Sequence, residues 1–181
     1  MKQIYLLRHE EVEKKYRNRY YGHLDVKLSA RGKNRARRIA QKLNKIEFDA
    51  IYSSDLSRTR FMLNGLNQKV KPIFTESLRE KSWGEHEGLS SSNLEALGFE
   101  YKNFEQWVSQ FDGESLDEFK ARVFNFYDYL LSLKSKKILV VTHSGVIRTI
   151  LSHLNSLTLE EVFSQQLAYG SITKIKNYSV S

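Results

Sequence analysis

The chain reads as an α/β protein, a three-layer α/β/α sandwich around a mostly parallel central sheet, and three observations predict this. Short apolar runs alternate with stretches of helical periodicity along nearly its whole length. Two of the runs, Gln3-Ile4-Tyr5-Leu6-Leu7 and Ile138-Leu139-Val140-Val141-Thr142, are nearly continuous, as strands covered on both faces tend to be. Each leads to a histidine, His9 behind Arg8 and His143 before Ser144-Gly145, and the second turns straight into a helix. Two imidazoles are thereby brought to the carboxyl edge of one sheet, beside helix N-terminal amides that suit an anion.

The elements follow in order. Strand 3–8 leads into a long polar loop, then helix 30–45, for which Ser29 is the expected N-cap and Gly32 a weak spot. Ala36, Ile39, Ala40 and Leu43 give that helix its apolar stripe. Strand 49–53, helix 56–66 and a strand near 72–75 come next, the last after the single proline. Residues 77–92 lack periodicity and read as a loop, and two short helices fill 91–111. Ser115-Leu116-Asp117-Glu118 is a capping box opening a helix to about Leu133, with Leu116, Phe119, Val123, Phe126 or Tyr127, and Leu130 on its buried face. Strand 137–142, helix 145–154, a helix near 158–165 and a strand over 169–176 complete the pattern.

Composition narrows the function. With 181 residues and 40% hydrophobic content, residues 1–181 suffice for a single domain with one core. No apolar run is long enough to span a bilayer, and the charged start enters a five-residue strand, so no membrane partner is expected and the cytoplasm is the expected compartment. The lack of cysteine excludes disulfides, thiolate catalysis and cysteine-based zinc sites. A net charge of +8 favours anionic partners without separating nucleic acid from a small phosphate ester. Much of it lies on Arg31, Lys33, Arg35, Arg37, Arg38 and Lys42, which form the polar face of helix 30–45 behind its core stripe. No aromatic interleaving or nucleic-acid motif accompanies them, and nucleic acid is not expected as a partner.

Several blocks occur in a fixed order: Arg8-His9, Tyr21-Gly22-His23-Leu24-Asp25, Leu28-Ser29-Ala30-Arg31-Gly32, Ser53-Ser54-Asp55-Leu56-Ser57-Arg58, Leu78-Arg79-Glu80, Gly113-Glu114-Ser115-Leu116 and Val141-Thr142-His143-Ser144-Gly145. Together they resemble the histidine phosphatase superfamily, also called phosphoglycerate mutase-like, over nearly the whole chain. The resemblance implies the phosphoglycerate mutase-like fold and a metal-independent phosphoric monoester hydrolase with no cofactor.

The residue types fit that chemistry. A phosphate monoester is dianionic, so its hydrolysis needs fixed positive charge and an in-line nucleophile. Arg8 and Arg58 can clamp phosphoryl oxygens with bidentate geometry that lysine lacks. A neutral imidazole can accept the phosphoryl group, while a second, protonated imidazole stabilises its oxygens. The residues alone leave the two histidines interchangeable; the resemblance makes His9 the nucleophile, His143 the stabiliser and Glu80 the proton donor to the leaving oxygen. It also makes Lys15, Tyr21, Gly22 and Ser144 phosphate-binding candidates, Lys15 standing where the family has an asparagine. Glu10 departs from the small residue, usually glycine, that follows the Arg-His pair in the family. His23, His86 and His153 read as structural or surface residues, and no metal-ligand spacing accompanies them.

Substrate class is read from the resemblance. Mutases of the family carry extra basic residues between the Leu-x-Glu and Gly-Glu-Ser blocks, whereas 89–112 here is short with only Lys102. That favours a phosphatase of a small-molecule phosphate ester, and the loop 10–21 looks most like the α-ribazole phosphatase branch of cobalamin synthesis. A mutase-type phosphotransferase, a protein phosphatase and a non-catalytic phospho-ligand module are the alternatives. The aromatics of 83–111 form either a cap or core, and the oligomeric expectation is monomer or homodimer.

Overall fold

A computed structural model describes residues 1–177 of the chain. Its sheet has five strands in the order β3-β2-β4-β1-β5: β1 Lys2–Arg8, β2 Ala50–Ser54, β3 Ile73–Thr75, β4 Lys137–Thr142 and β5 Ile172–Asn177. All neighbours are parallel except β5, which runs antiparallel to β1. The edges are blunt: β3 has three residues, and β5 exposes Lys174 and Lys176.

Alternation along the central strands builds the two outer layers. Ile4, Leu6, Ile138 and Val140 face α5 (Leu116–Ser132) and α6 (Ser144–Asn155), meeting Phe119, Val123, Leu130, Val146 and Ile150. Tyr5, Leu7, Leu139 and Val141 face the other way, toward Ala36 and Leu43 of α1 (Ala30–Leu43) and toward Val26, Leu28 and Met62. The expected sandwich with helices on both faces is what forms. Phe119 is 1% exposed, and its truncation to alanine costs about 3–5 kcal/mol.

The caps are where the sequence places them. Ser29 Oγ accepts from the Gly32 amide at 2.9 Å, and the Ser115–Glu118 box closes in both directions. Lys2 Nζ donates to the carbonyls of Leu130 and Leu133 at 2.8 and 2.6 Å, closing the far end of α5.

Two boundaries differ from expectation. Helix 56–66 shrinks to one turn, α2 (Ser57–Arg60), continued by a 3-10 turn Phe61–Leu63. Thr59 Oγ1 bonds back to the carbonyls of Ser54 and Leu56, and Gly65 sits at φ 91°, so chain reversal replaces further helix. The last strand starts at Ile172, three residues late, because Gly170 takes φ 68° and turns the chain before it pairs. Between β3 and α5 lie α3 (Ser91–Ala96) and α4 (Phe104–Ser109), and α7 (Leu159–Ser164) follows α6. The aromatics of 83–111 prove to be a satellite core: Leu94, Trp107, Val108 and Phe111 are buried against Tyr20, Trp83, Phe99 and Phe104.

Candidate active site

Strand register brings the two histidines together. Arg8 pairs with Thr142 across β1 and β4, so His9 and His143 leave adjacent strands at the same level. The His9 amide donates to the Thr142 carbonyl at 3.0 Å, and the two rings lie 5.1 Å apart at 63°. Both are buried, His9 at 3% exposure and His143 at 0%.

Hydrogen-bond partners fix which nitrogen is free on each ring. His9 Nδ1 lies 2.8 Å from the Glu10 carbonyl, which only accepts, so Nδ1 carries the proton and Nε2 the lone pair. Arg58 Nε donates to His143 Nδ1 at 3.2 Å, so in neutral His143 the proton sits on Nε2. That Nε2 is buried without a hydrogen-bond partner among the described residues. One ring offers a lone pair and its neighbour an N–H. Burial, then the Arg58 and Arg8 charges, hold His9 well below the ordinary 6.5, against the smaller opposing pull of the Glu10 carbonyl. Burial and Arg58 depress His143 likewise. Both shifts favour the neutral ring; the protonated imidazole expected at His143 calls for the negative charge of a bound phosphate beside it.

Arg58, expected as a clamp, does not line the cavity. It is fully buried, and its guanidinium also donates to the carbonyls of Leu24 at 2.9 Å and Gly22 at 2.6 Å, away from the cavity wall. Three of its five N–H groups are thereby used, tying His143 and the 22–24 loop to a fixed positive charge, and two remain. Arg8 does line the cavity: its guanidinium stacks 4.1 Å over Tyr169 and donates to the Leu167 carbonyl.

Glu80 reaches the cavity from the loop after β3. Its carboxylate accepts from the Gly145 amide at 2.8 Å and the Lys81 amide at 3.2 Å, with Ser144 Oγ at 3.4 Å. The N-terminal amide of α6, expected to be free for an anion, thus holds a carboxylate of the chain itself. Gly145 permits the approach, since a Cβ there falls 2.0 Å from Glu80 Oε1. The loop is fixed by Arg122, which bonds Glu114 through Nε at 2.7 Å and Nη2 at 2.6 Å and the Ser77 and Arg79 carbonyls at 3.0 Å. Glu114 of the Gly-Glu-Ser block therefore acts on the site through Arg122, which sequence reasoning passed over.

The resulting cavity has a volume of about 270 Å³. Arg8, His9, Glu80, His143, Ser144 and Tyr21 line it as expected, and Tyr169, Lys81, Asn18 and Arg19 line it unexpectedly. Tyr169 stands before the turning Gly170, and its hydroxyl lies 3.2 Å from that of Tyr21. The nearby Tyr169 and burial push the Tyr21 hydroxyl toward its protonated form, burial most. Lys81 is 4% exposed, and burial pulls its pKa down to about 8 against the attraction of Glu114, Glu80 and Glu87. A lysine adjacent to the Glu80 block was the only available signal for it.

Besides Arg58, two more expected binding residues fall outside the cavity. Lys15 is largely exposed, near Glu13 at 3.9 Å and over the Tyr16 ring, because the 3-10 turn Lys14–Tyr16 carries it outward. Gly22 serves through its carbonyl, bonded to Arg58, rather than its amide; a Cβ there falls 1.7 Å from the Lys81 carbonyl oxygen. Glu10 turns away from the phosphate end. It is 1% exposed, with Oε1 3.1 Å from Arg35 Nε and Oε2 accepting from the Glu11 amide at 3.1 Å. His86 pairs with Asp112 at 3.0 Å, off the cavity. Among the described residues no group of three or more His, Cys, Asp or Glu is placed to hold a metal ion.

Two buried, oppositely tautomeric imidazoles under arginine charge, at the carboxyl edge of a mostly parallel sheet, define a phosphoryl-transfer enzyme of the α/β class. The chain belongs to the histidine phosphatase superfamily, branch 1, whose family model matches residues 4–179, and it is a metal-independent phosphatase or mutase of that superfamily. It is 31% identical to a putative phosphoserine phosphatase 2 of Hydrogenobacter thermophilus, over 97% of this chain and 89% of that one. It is 29% identical to a 2,3-bisphosphoglycerate-dependent phosphoglycerate mutase of Brucella ovis, over 92% and 88%. In fold it is similar to the α-ribazole phosphatase of Shigella flexneri, with a TM-score of 0.84 at 22% identity, covering 98% of this chain and 91% of that one. No helix among the described residues is long and apolar enough to cross a membrane.

Proposed function

We propose that the protein hydrolyses a small-molecule phosphate monoester in two displacements through a phosphohistidine on His9. The observation that carries this is the Glu10 carbonyl on His9 Nδ1, which leaves the Nε2 lone pair facing a cavity that also holds His143 and Arg8. In the first step the Nε2 lone pair forms a bond to phosphorus, and the ester oxygen leaves with the electrons of the P–O bond. Protonated Glu80 gives that oxygen its proton. In the second step a water attacks phosphorus, Glu80 takes a proton from it, and the P–N bond breaks to restore His9. His143 Nε2–H and the Arg8 guanidinium bond the phosphoryl oxygens throughout, and Ser144 and Tyr21 add hydroxyls.

The best substrate reading is α-ribazole 5'-phosphate or a similar metabolite, which gives the enzyme a place in cobalamin assembly. The short, weakly basic 89–112 segment and the Shigella fold likeness support it. Phosphoserine is the second reading, favoured by the 31% identical Hydrogenobacter relative, and mutase-type transfer the third, favoured by the Brucella relative. Initial rates on α-ribazole 5'-phosphate, phosphoserine, a phosphotyrosine peptide, and 3-phosphoglycerate with 2,3-bisphosphoglycerate decide among them. Release of inorganic phosphate fastest from the first supports this reading; isomerisation without net release replaces it with the mutase, and no turnover of any ester leaves a phospho-ligand binding module.

A further inference from the structure

Arg8 serves two pockets. Besides the reacting cavity it lines a second one, of about 520 Å³, against the end of α7 and the loop that leads on to β5. Tyr169 and Phe163 are the other side chains common to both, so these three form the partition between them. Arg148, on α6, lines only the second pocket. The hydrolytic mechanism makes no use of that space.

The two arginines are held in the same way. The Arg8 guanidinium stacks over Tyr169 and donates to the Leu167 carbonyl. Arg148 lies 5.2 Å over the Phe163 ring and donates through Nη2 to the Gln165 carbonyl at 2.7 Å. A guanidinium has five N–H donors, so each keeps four uncommitted, and the Nε of each is buried without a partner among the described residues.

No carboxylate lines the pocket, and neither arginine belongs to an ion pair among the described residues. Burial, then the charge of Arg8, pulls Arg148 below the ordinary arginine value, with Glu80 opposing. Fastening a loop needs one hydrogen bond from each side chain and no pair of like charges. Two guanidiniums gathered at one pocket repel each other until something negative joins them.

We propose that the pocket between Arg8 and Arg148 is a second oxyanion site, which takes a phosphate-type dianion against the two guanidiniums while the ester's phosphoryl group sits at His9. Each planar fork matches two oxygens of a tetrahedral oxyanion, a fit that a single ammonium lacks. The site itself is independent of the reaction assigned above; its effect on turnover rests on the phosphatase reading. An oxyanion held there draws on the same Arg8 charge that the reacting phosphoryl group needs. Binding at either site therefore weakens binding at the other, and by the same factor. Phosphate released by hydrolysis then restrains turnover as it accumulates, without entering the reacting cavity.

Equilibrium dialysis with radiolabelled inorganic phosphate is the test. Wild type should bind two phosphates per chain, and Arg148→Met one. Gln166→Glu, at an exposed position on the pocket wall, keeps Arg148 and sets a carboxylate against the ion, and it too should bind one. Two phosphates retained by either variant, or a single wild-type phosphate that survives both, overturns the proposal. A single wild-type phosphate that both variants abolish, with no ester hydrolysed, keeps this site and removes the phosphatase reading. Propane-1,3-diyl bisphosphate separates the two sources of such a group: one molecule displacing both phosphates marks the occupant as a second phosphoryl group of one ligand, and displacement of only one marks a free ion. In turnover of p-nitrophenyl phosphate, added phosphate should raise KM about 5-fold more in wild type than in Gln166→Glu, the low end of ordinary coupling between sites. An equal rise overturns the coupling.

Discussion

The phosphate end of the cavity is hung on strand ends, and the leaving-group end on loops and short helices. His9 and His143 follow directly from β1 and β4, whose buried residues form the centre of both cores. Farther from the histidines, the cavity wall includes Phe104 of α4 and Phe163 of α7, helices of six residues each and too short to be stable without tertiary contacts. α4 is held by the aromatic cluster of Trp107, Phe111, Phe99 and Trp83, and α7 by its packing on α6. Chemistry is thus fixed by the most rigid part of the fold, and recognition by a part that can change its side chains without disturbing the sheet. Substitutions at the first end are expected to act on kcat, and those at the second on KM and substrate choice.

The largest effect is expected from His9→Ala. Removing the nucleophile should lower kcat by about 10⁴-fold or more, since no neighbouring group can take over the covalent step. Trapping with a radiolabelled ester under alkaline quench should label the wild type and not the variant; equal labelling makes another residue the acceptor. Next comes Glu80→Gln, at the boundary between the two ends. Alkyl esters should slow by roughly 10²-fold to 10⁴-fold, and p-nitrophenyl phosphate much less, because its phenolate leaves without a proton. Equal losses on both mean that Glu80 positions the substrate rather than protonating the alcohol.

The same division decides what could be read from sequence. His9 and His143 were legible because each ends a continuous apolar run, and parallel pairing of such runs aligns their ends. Glu80 and Ser144 were legible from ordered blocks. Arg58 was read as a direct clamp; that three of its N–H groups go to Gly22, Leu24 and His143 depends on loops far apart in the chain. Tyr169 and Lys81 were missed for a related reason. Each enters the cavity through a turn, at Gly170 and after Leu78, whose direction is set by packing rather than by periodicity. The 56–66 helix failed similarly, since Thr59 bonds backward and Gly65 reverses the chain, features to which an apolar-spacing rule is blind.

A third expectation concerns pH. His9 and His143 are neutral in the fold well below the 6.5 of a free imidazole, while in the unfolded chain they take up protons near that value. Between 6.5 and the depressed folded values the unfolded state binds more protons, so stability is present above 6.5 and is lost as pH falls through that window. Each histidine contributes a slope of at most about 1.4 kcal/mol per pH unit. Urea unfolding from pH 7 to 5 should show this, and His143→Gln should remove about one proton's worth of the slope. An unchanged slope means that His143 is protonated in the fold, as the sequence alone suggested.

At the leaving-group end, Lys81→Met should raise KM for phosphoserine about 10-fold, because Lys81 is a cation of the cavity lining that sits 4.4 Å over the Trp83 ring. For p-nitrophenyl phosphate, which carries no second anion, KM should move by no more than about 3-fold on the same scale. Similar shifts for both esters assign Lys81 to the phosphoryl group and blur the boundary between the two ends.

The smallest effect is expected from Glu10→Gln, and it tests whether the phosphate end tolerates its one unusual carboxylate by turning it away. Glu10 is buried against Arg35, whose side chain is 44% exposed, so the pair is half screened and its loss should cost only about 1–2 kcal/mol. For a chain of this size that is a drop in Tm of roughly 2–8 °C. The backbone carbonyl that orients His9 is retained in the variant, so kcat should stay within about 3-fold, well under the tenfold that corresponds to 1.4 kcal/mol. Glu10→Gly retains that carbonyl too but frees the backbone, and is expected to lower kcat further through a less fixed His9 ring. A rise in kcat/KM of tenfold or more on Glu10→Gln reverses the argument: the carboxylate then opposes the phosphate, and the Arg35 pair is a partial shield against it rather than the reason that Glu10 points away.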